Sequence, residues 1–159
     1  MLLLGTTLLK GVLTVTSPSF KEGGTIPSKF TCEGENINPA LHIEGIPAGT
    51  KFLALLMDDP DAPDGTFDHW VIWNVTPSSE IPEHYNQGIE GNNGTGKTGY
   101  TGPCPPSGNH RYYFKVYALD TKLELKKGAS KQTVEKTMEG HVLASGELMG
   151  TYQKTGTKK

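Results

Sequence analysis

The chain has 159 residues, the length of one domain whose core needs no staples. Its formal charge is −2, with 15 Lys and Arg against 17 Asp and Glu and no block of like charge. That balance excludes the electrostatic footprint of a nucleic-acid binder or of a protein held on an anionic membrane. The 20 glycines and 11 prolines point to many short strands and turns rather than a helix bundle.

In chain order, Met1 to Leu9 is largely apolar but too short to span a bilayer, and Lys10 follows the run instead of preceding it. Neither stable membrane insertion nor a signal peptide is expected, and the expected location is the cytoplasm. Val12 to Thr16 alternates in part and reads as a strand. Ser17 to Asn38 is turn-rich, with a short strand around Phe30. Leu41 to Glu44 alternates again and places His42 towards solvent. Phe52 to Met57 is apolar at every position, a strand buried on both faces that ends at Asp58. From His69 to Thr76, strict alternation puts His69, Val71, Trp73 and Val75 on one face and Trp70, Ile72 and Asn74 on the other.

Asn86 to Gly108 holds seven glycines, three prolines and two charged side chains, a loop long enough to be functional or disordered. Within it, Gly91 to Thr98 (GNNGTGKT) matches a bare phosphate-loop pattern. That pattern needs a helix after it, and Gly99, Gly102 and Pro103 exclude one, so nucleotide binding is rejected. His110 to Asp120 is the clearest strand, with His110, Tyr112, Phe114, Val116 and Ala118 on one face. Leu123 and Leu125 alternate in a shorter strand. Ser130 then caps a helix over Lys131 to Leu143, and Glu147 to Gln153 closes the chain as a strand. No repeat or linker divides the chain, so residues 1–159 form one domain, with 1–10 and 154–159 as peripheral ends. Cys32 and Cys104, the only cysteines, make neither a disulfide framework nor a zinc signature. A single bridge stays open, but reduced thiols are expected of a cytosolic protein.

Two stretches carry the chemistry. In Leu53 to Pro77, two apolar runs flank a turn holding Asp58, Asp59, Asp61, Asp64, Asp68 and His69. Pro60 and Pro63 stiffen it by fixing their own φ and extending the residues before them. In Gly102 to Tyr113, a proline-rich turn again runs into a strand headed by a histidine, His110. Two rigid turns, each delivering an imidazole to a strand head, predict one shared pocket. Zinc on His69, His110 and an Asp lacks an HxH or HExxH spacing, and no metal or other cofactor is expected. Ser107 and Cys104 near His110 lack a nucleophile elbow, so no catalytic residue is assigned and no enzyme is expected.

DPDAP at Asp59 to Pro63, the strand-heading His69 and GNHRY at Gly108 to Tyr112 resemble the signature of the phosphatidylethanolamine-binding protein family. The likeness is to its short bacterial and archaeal branch, the Raf-kinase-inhibitor-like proteins. TSPSF, IPSKFTCEGENINPAL and HVLASGELMGTYQ extend it from about Leu13 to Gln153. The resemblance implies a mainly β fold, a Greek-key sandwich of two antiparallel sheets with one or two short helices. It also implies a small anion pocket lined by Asp59, Pro63, His69, His110 and Tyr112. The Gly102 to Pro106 segment, with Pro105 in the ligand set, supplies part of the rim.

The expected partner is therefore a small anion or phospho-ligand such as phosphate or phosphoethanolamine. The imidazoles would donate to phosphate oxygens and a carboxylate would accept from an ammonium or a protonated phosphate. The alternative is an inhibitor of a kinase or serine protease, with a hydrolase as a distant third, and a homodimer stays open. The sequence ends soon after Gln153, where animal members continue with a segment flanking the pocket, which sets expectation away from bilayer lipid and Raf-type kinase regulation. Asp61 and Arg111 are assigned structural support: strand alternation turns Arg111 away from His110 and Tyr112, where it would meet Asp61 in a buried bidentate pair.

Overall fold

The structure, a computed structural model, describes residues 11–155, so the readings of Met1 to Leu9 and of the last four residues fall outside it. Nine strands and one α-helix follow in order among the described residues: β1 (Gly11–Val12), β2 (Thr14–Thr16), β3 (Leu41–Glu44), β4 (Phe52–Asp59), β5 (Phe67–Val75), β6 (Glu80–Ile81), β7 (Ile89–Glu90), β8 (His110–Leu119), α1 (Lys131–Met138) and β9 (Val142–Tyr152). They form a six-stranded sheet of order β1-β9-β8-β4-β5-β7 and a three-stranded sheet of order β2-β3-β6. The fold is mainly β with two sheets, as expected. The large sheet is not wholly antiparallel, because β1 pairs parallel to β9, Gly11 with Ala144 and Val12 with Ser145. One residue later the chain leaves that edge and joins β3 in the small sheet, which splits the expected Val12–Thr16 strand in two.

Two apolar layers follow from the two faces of the large sheet. Leu53, Leu55, Met57, Trp70, Ile72, Phe114 and Val116 pack with Val15, Leu41, Ile43 and Ile81 of the small sheet. On the opposite face, Ala54, Leu56, Val71 and Trp73 pack under Val134 and Met138 of α1 and Leu123 of the preceding loop. β4 and β5 lie in the middle of the sheet and meet apolar side chains on both sides, so their sequences read as continuous hydrophobic runs.

Several expectations are corrected by where backbone groups find partners. Phe30 ends a 3-10 turn, Ser28–Phe30, entered from Pro27, and its ring is an apolar anchor rather than a strand residue. β4 runs past Asp58 to Asp59 because each carboxylate is satisfied on its own side of the sheet. No strand forms at Leu123 and Leu125. There the Asn74 side chain accepts from Leu123 N–H and donates to its carbonyl, both at 2.9 Å, replacing a ladder partner. α1 stops at Met138, short of the expected Leu143; Ser130 caps it as predicted, and Gly140, at φ 83°, turns the chain directly into β9. β9 accordingly starts five residues before the expected Glu147.

β5 carries two irregularities that break its alternation. Met57 pairs with Trp70 but Asp58 with Asp68 and Asp59 with Phe67, so His69 is an extra, bulged residue. Near the other end Asn74 takes φ 54°, and Val75 joins Trp70 and Ile72 in the inter-sheet layer. The expected grouping of His69 and Val75 with Val71 and Trp73 is therefore corrected at both ends.

The cysteines form a disulfide, Cys32 to Cys104, across 72 residues of sequence. Reduced thiols are the expectation overturned here. The bridge joins the 3-10 turn segment to the proline-rich loop, which other contacts also hold: Cys32 N–H donates to Pro103 O at 3.1 Å and Tyr100 Oη to Phe30 O at 2.7 Å.

Candidate functional site

β4 ends, and β5 and β8 begin, at the same edge of the large sheet, so both proline-stiffened turns meet there. Between them lies a cavity of about 280 Å3, lined by Asp59, Ala62, Pro63, Phe67, His69, Thr95, Thr101, Gly102, Cys104, Pro105, Pro106, His110 and Tyr112. All six residues expected to touch a ligand, Asp59, Pro63, His69, Pro105, His110 and Tyr112, line this one space. Its volume lies just under the ~300–1,000 Å3 of drug-sized pockets.

Each polar side chain is fixed by a neighbour. His110 Nδ1 donates to Asp59 Oδ2 at 2.7 Å, and Asp59 Oδ1 accepts from the Asp61 backbone N–H at 2.7 Å. His69 Nδ1 donates to the Thr101 carbonyl at 2.7 Å. A carbonyl can only accept, so this bond fixes the tautomer: Nδ1 carries the hydrogen and Nε2 is the nitrogen left for the cavity. The β5 bulge makes this possible. Strict alternation would send His69 to the helix side, whereas the extra residue brings its ring against Tyr112, 5.2 Å between centroids, and Phe67, 4.8 Å. Bulges beside functional sites re-aim side chains in this way.

Burial pushes the His69 imidazole below the usual histidine range, outweighing the Thr101 carbonyl and the Asp59, Asp58 and Asp68 carboxylates, which act the other way. Tyr112 is fully buried, and its hydroxyl has no hydrogen bond of acceptable geometry. Desolvation first, and then the nearby Asp59 carboxylate, hold its pKa well above the ordinary phenol value, so it remains an O–H donor. An orphaned buried hydroxyl costs about 1–3 kcal/mol, which a ligand oxygen would recover.

Arg111 and Asp61 pair as expected: Arg111 Nε and Nη2 reach the two Asp61 oxygens at 2.9 and 2.8 Å. Arg111 N–H adds a third bond, at 2.9 Å. The pair ties one turn to the other, on the side of β8 away from the cavity. It is not buried, however, with side chains 50% and 29% exposed. Arg111 faces a separate charged groove with Asp58, Lys115, Lys131 and Glu147.

Seven lining residues fall outside the predicted ligand set. Gly102, Cys104 and Pro106 belong to the segment expected at the rim. Phe67 lies two residues before His69, and extending the strand backwards would have found it. Thr101 contributes a carbonyl, for which no side-chain signal exists. Thr95 sits in the rejected phosphate-loop pattern, where Asn93 Oδ1 accepts from its N–H at 2.8 Å in an ordinary Asx turn. Gly102 is required by packing: a Cβ there would lie 2.2 Å from Phe30 O.

Fold and cavity together define a β-sandwich protein with a small, mostly apolar cavity carrying a few polar groups where the turns of its larger sheet converge. The model of the phosphatidylethanolamine-binding protein family matches residues 16–153. A UPF0098 protein of Pyrococcus horikoshii is 52% identical over 149 residues, covering 87% of this chain and 75% of the relative. The crystal structure of a phosphatidylethanolamine-binding protein homologue from Chlamydia trachomatis superimposes with TM-score 0.87 at 39% identity, over 92% of this chain and 100% of that one. Escherichia coli YbcL, described as a member of the mammalian family, gives 0.82 at 30% identity, over 90% and 99%. The chain belongs to the phosphatidylethanolamine-binding protein family.

Proposed function

We propose that the protein binds phosphate or phosphoethanolamine-like groups in this cavity, as a binder rather than an enzyme. The observation that carries the reading is convergence: two imidazoles with Nδ1 already committed and one unpartnered, buried tyrosine hydroxyl line the same small space. Phe67, Pro63 and Pro105 supply an apolar surround in which those few polar contacts count for more than they would in water. Hydrolysis by the cysteine has no support, because Cys104 sulfur is bonded to Cys32. Ser107 lines a different depression, with Gln153 and Lys154.

Titrating inorganic phosphate and O-phosphoethanolamine while following imidazole NMR resonances tests the reading. His69 and His110 should shift together. His42 and His141, already held by Glu44 and Glu80 and by Asp120 at the surface, should stay still. Shifts confined to the surface histidines, or none at all, would reject it.

A further inference from the structure

The hydrogen-bond polarity of the cavity is unusual for an anion site. None of its lining residues is Lys or Arg. The three cations of the neighbouring groove are spent there: Lys115 and Lys131 on Asp58 at 3.1 Å, Lys131 also on Asp68 at 3.1 Å, and Arg111 on Asp61. Each imidazole has Nδ1 as donor to a fixed oxygen, so in its neutral form each offers the cavity a lone pair at Nε2. The buried carboxylate of Asp59 stands beside them, and with His110 protonated the pair merely reaches neutrality. Tyr112 adds a buried hydroxyl donor with no partner.

A phosphate dianion brings only acceptors, and with both rings neutral would set its oxygens against two lone pairs and a carboxylate. A monoanion carries an O–H that can donate to one Nε2 while its other oxygens accept from Tyr112. Protonating His69 instead would work against its burial, which favours the neutral ring. Resting on the binding function proposed above, we infer that the cavity takes phosphate monoesters as the singly protonated monoanion, so that binding at neutral pH takes up a proton.

The probe is methyl phosphate, because the ammonium of phosphoethanolamine could itself donate to Nε2. Calorimetric titration of the wild-type protein near pH ~7.5, in two buffers of different ionisation enthalpy, should report uptake of about one proton, since the second pKa of a phosphomonoester is ≈ 6. Affinity should rise as pH falls towards that value, by up to ~10-fold per pH unit. Methyl sulfate, a monoanion with no proton to donate, should bind at least ~10-fold more weakly at pH ~6, the loss expected when a buried group goes unpaired. Methyl phosphate binding without proton uptake, or methyl sulfate matching it, would overturn this inference and leave the binding function standing. Absence of methyl phosphate binding at every pH would overturn both.

Discussion

At the scale of single residues, the site depends on which neighbour holds each polar group. Asp59 is 3% exposed and bonded on both oxygens, so it positions His110 and closes the Asp59–Pro63 turn as well as lining the cavity. Asp61 and Arg111 act from the outer side, and their exposure sets their worth. Removing one partner of a buried pair costs ~3–5 kcal/mol, but a solvent-screened pair is worth far less. Arg111→Ala should therefore lower the urea midpoint only slightly. The Arg111 guanidinium holds the Asp61 carboxyl down from 3.8 to about 2 in the folded state. Its contribution is fully present above the unfolded value and fades as pH falls through the folded one. The stability gap between wild type and Asp61→Asn should thus be constant at pH ~5, narrow as pH falls towards ~2 and close below it. Urea titrations across that range check it, and a gap that widens on acidification would contradict the assignment.

At the scale of elements, the regular parts of the fold are legible and the irregular ones are not. Continuous apolar runs mark β4 and β5, alternation marks β8, and Ser130 marks the start of α1. The β5 bulge leaves no such mark: a one-residue slip alters no composition, yet it decides which side of the sheet His69 faces. Leu123 and Leu125 alternate with Glu124 and Lys126 because both leucines pack on the helix-side core while the charged residues are exposed, and the Asn74 amide removes any need for strand pairing. The disulfide is equally silent, since spacing alone cannot show that Cys32 and Cys104 lie 5.5 Å apart at Cα. It closes a long loop, and such bridges typically contribute ~2–4 kcal/mol by constraining the unfolded chain. The proline-rich wall keeps its other ties, Gly102 N–H to Asn36 Oδ1 at 2.7 Å and Cys32 N–H to Pro103 O. A Cys32→Ser/Cys104→Ser double variant should lose that stability in urea melts yet retain phosphate binding. An unchanged midpoint would show that the bridge adds nothing.

At the scale of the molecule, the two faces of one sheet divide the labour. One face packs against the small sheet and opens at its end into a cavity without Lys or Arg. The other packs under α1, and at the same end its basic side chains sit in the groove of Arg111, Lys115 and Lys131. The six predicted residues line one cavity because they come from two turns at one sheet edge, an arrangement that the paired turn–histidine–strand pattern already implies. Compartment is less legible. Disulfides persist both in oxidising compartments and inside hyperthermophiles, so the bridge removes the argument for reduced thiols without replacing it. Among the described residues no helix is long and apolar enough to cross a membrane.

The most direct measurement is a crystal structure with O-phosphoethanolamine bound. The account predicts the phosphate group in the cavity, hydrogen-bonded to Nε2 of His69 or His110 and accepting from the Tyr112 hydroxyl, which would then no longer be orphaned. Phosphate density instead in the Arg111–Lys115–Lys131 groove, with the cavity holding only solvent, would contradict it.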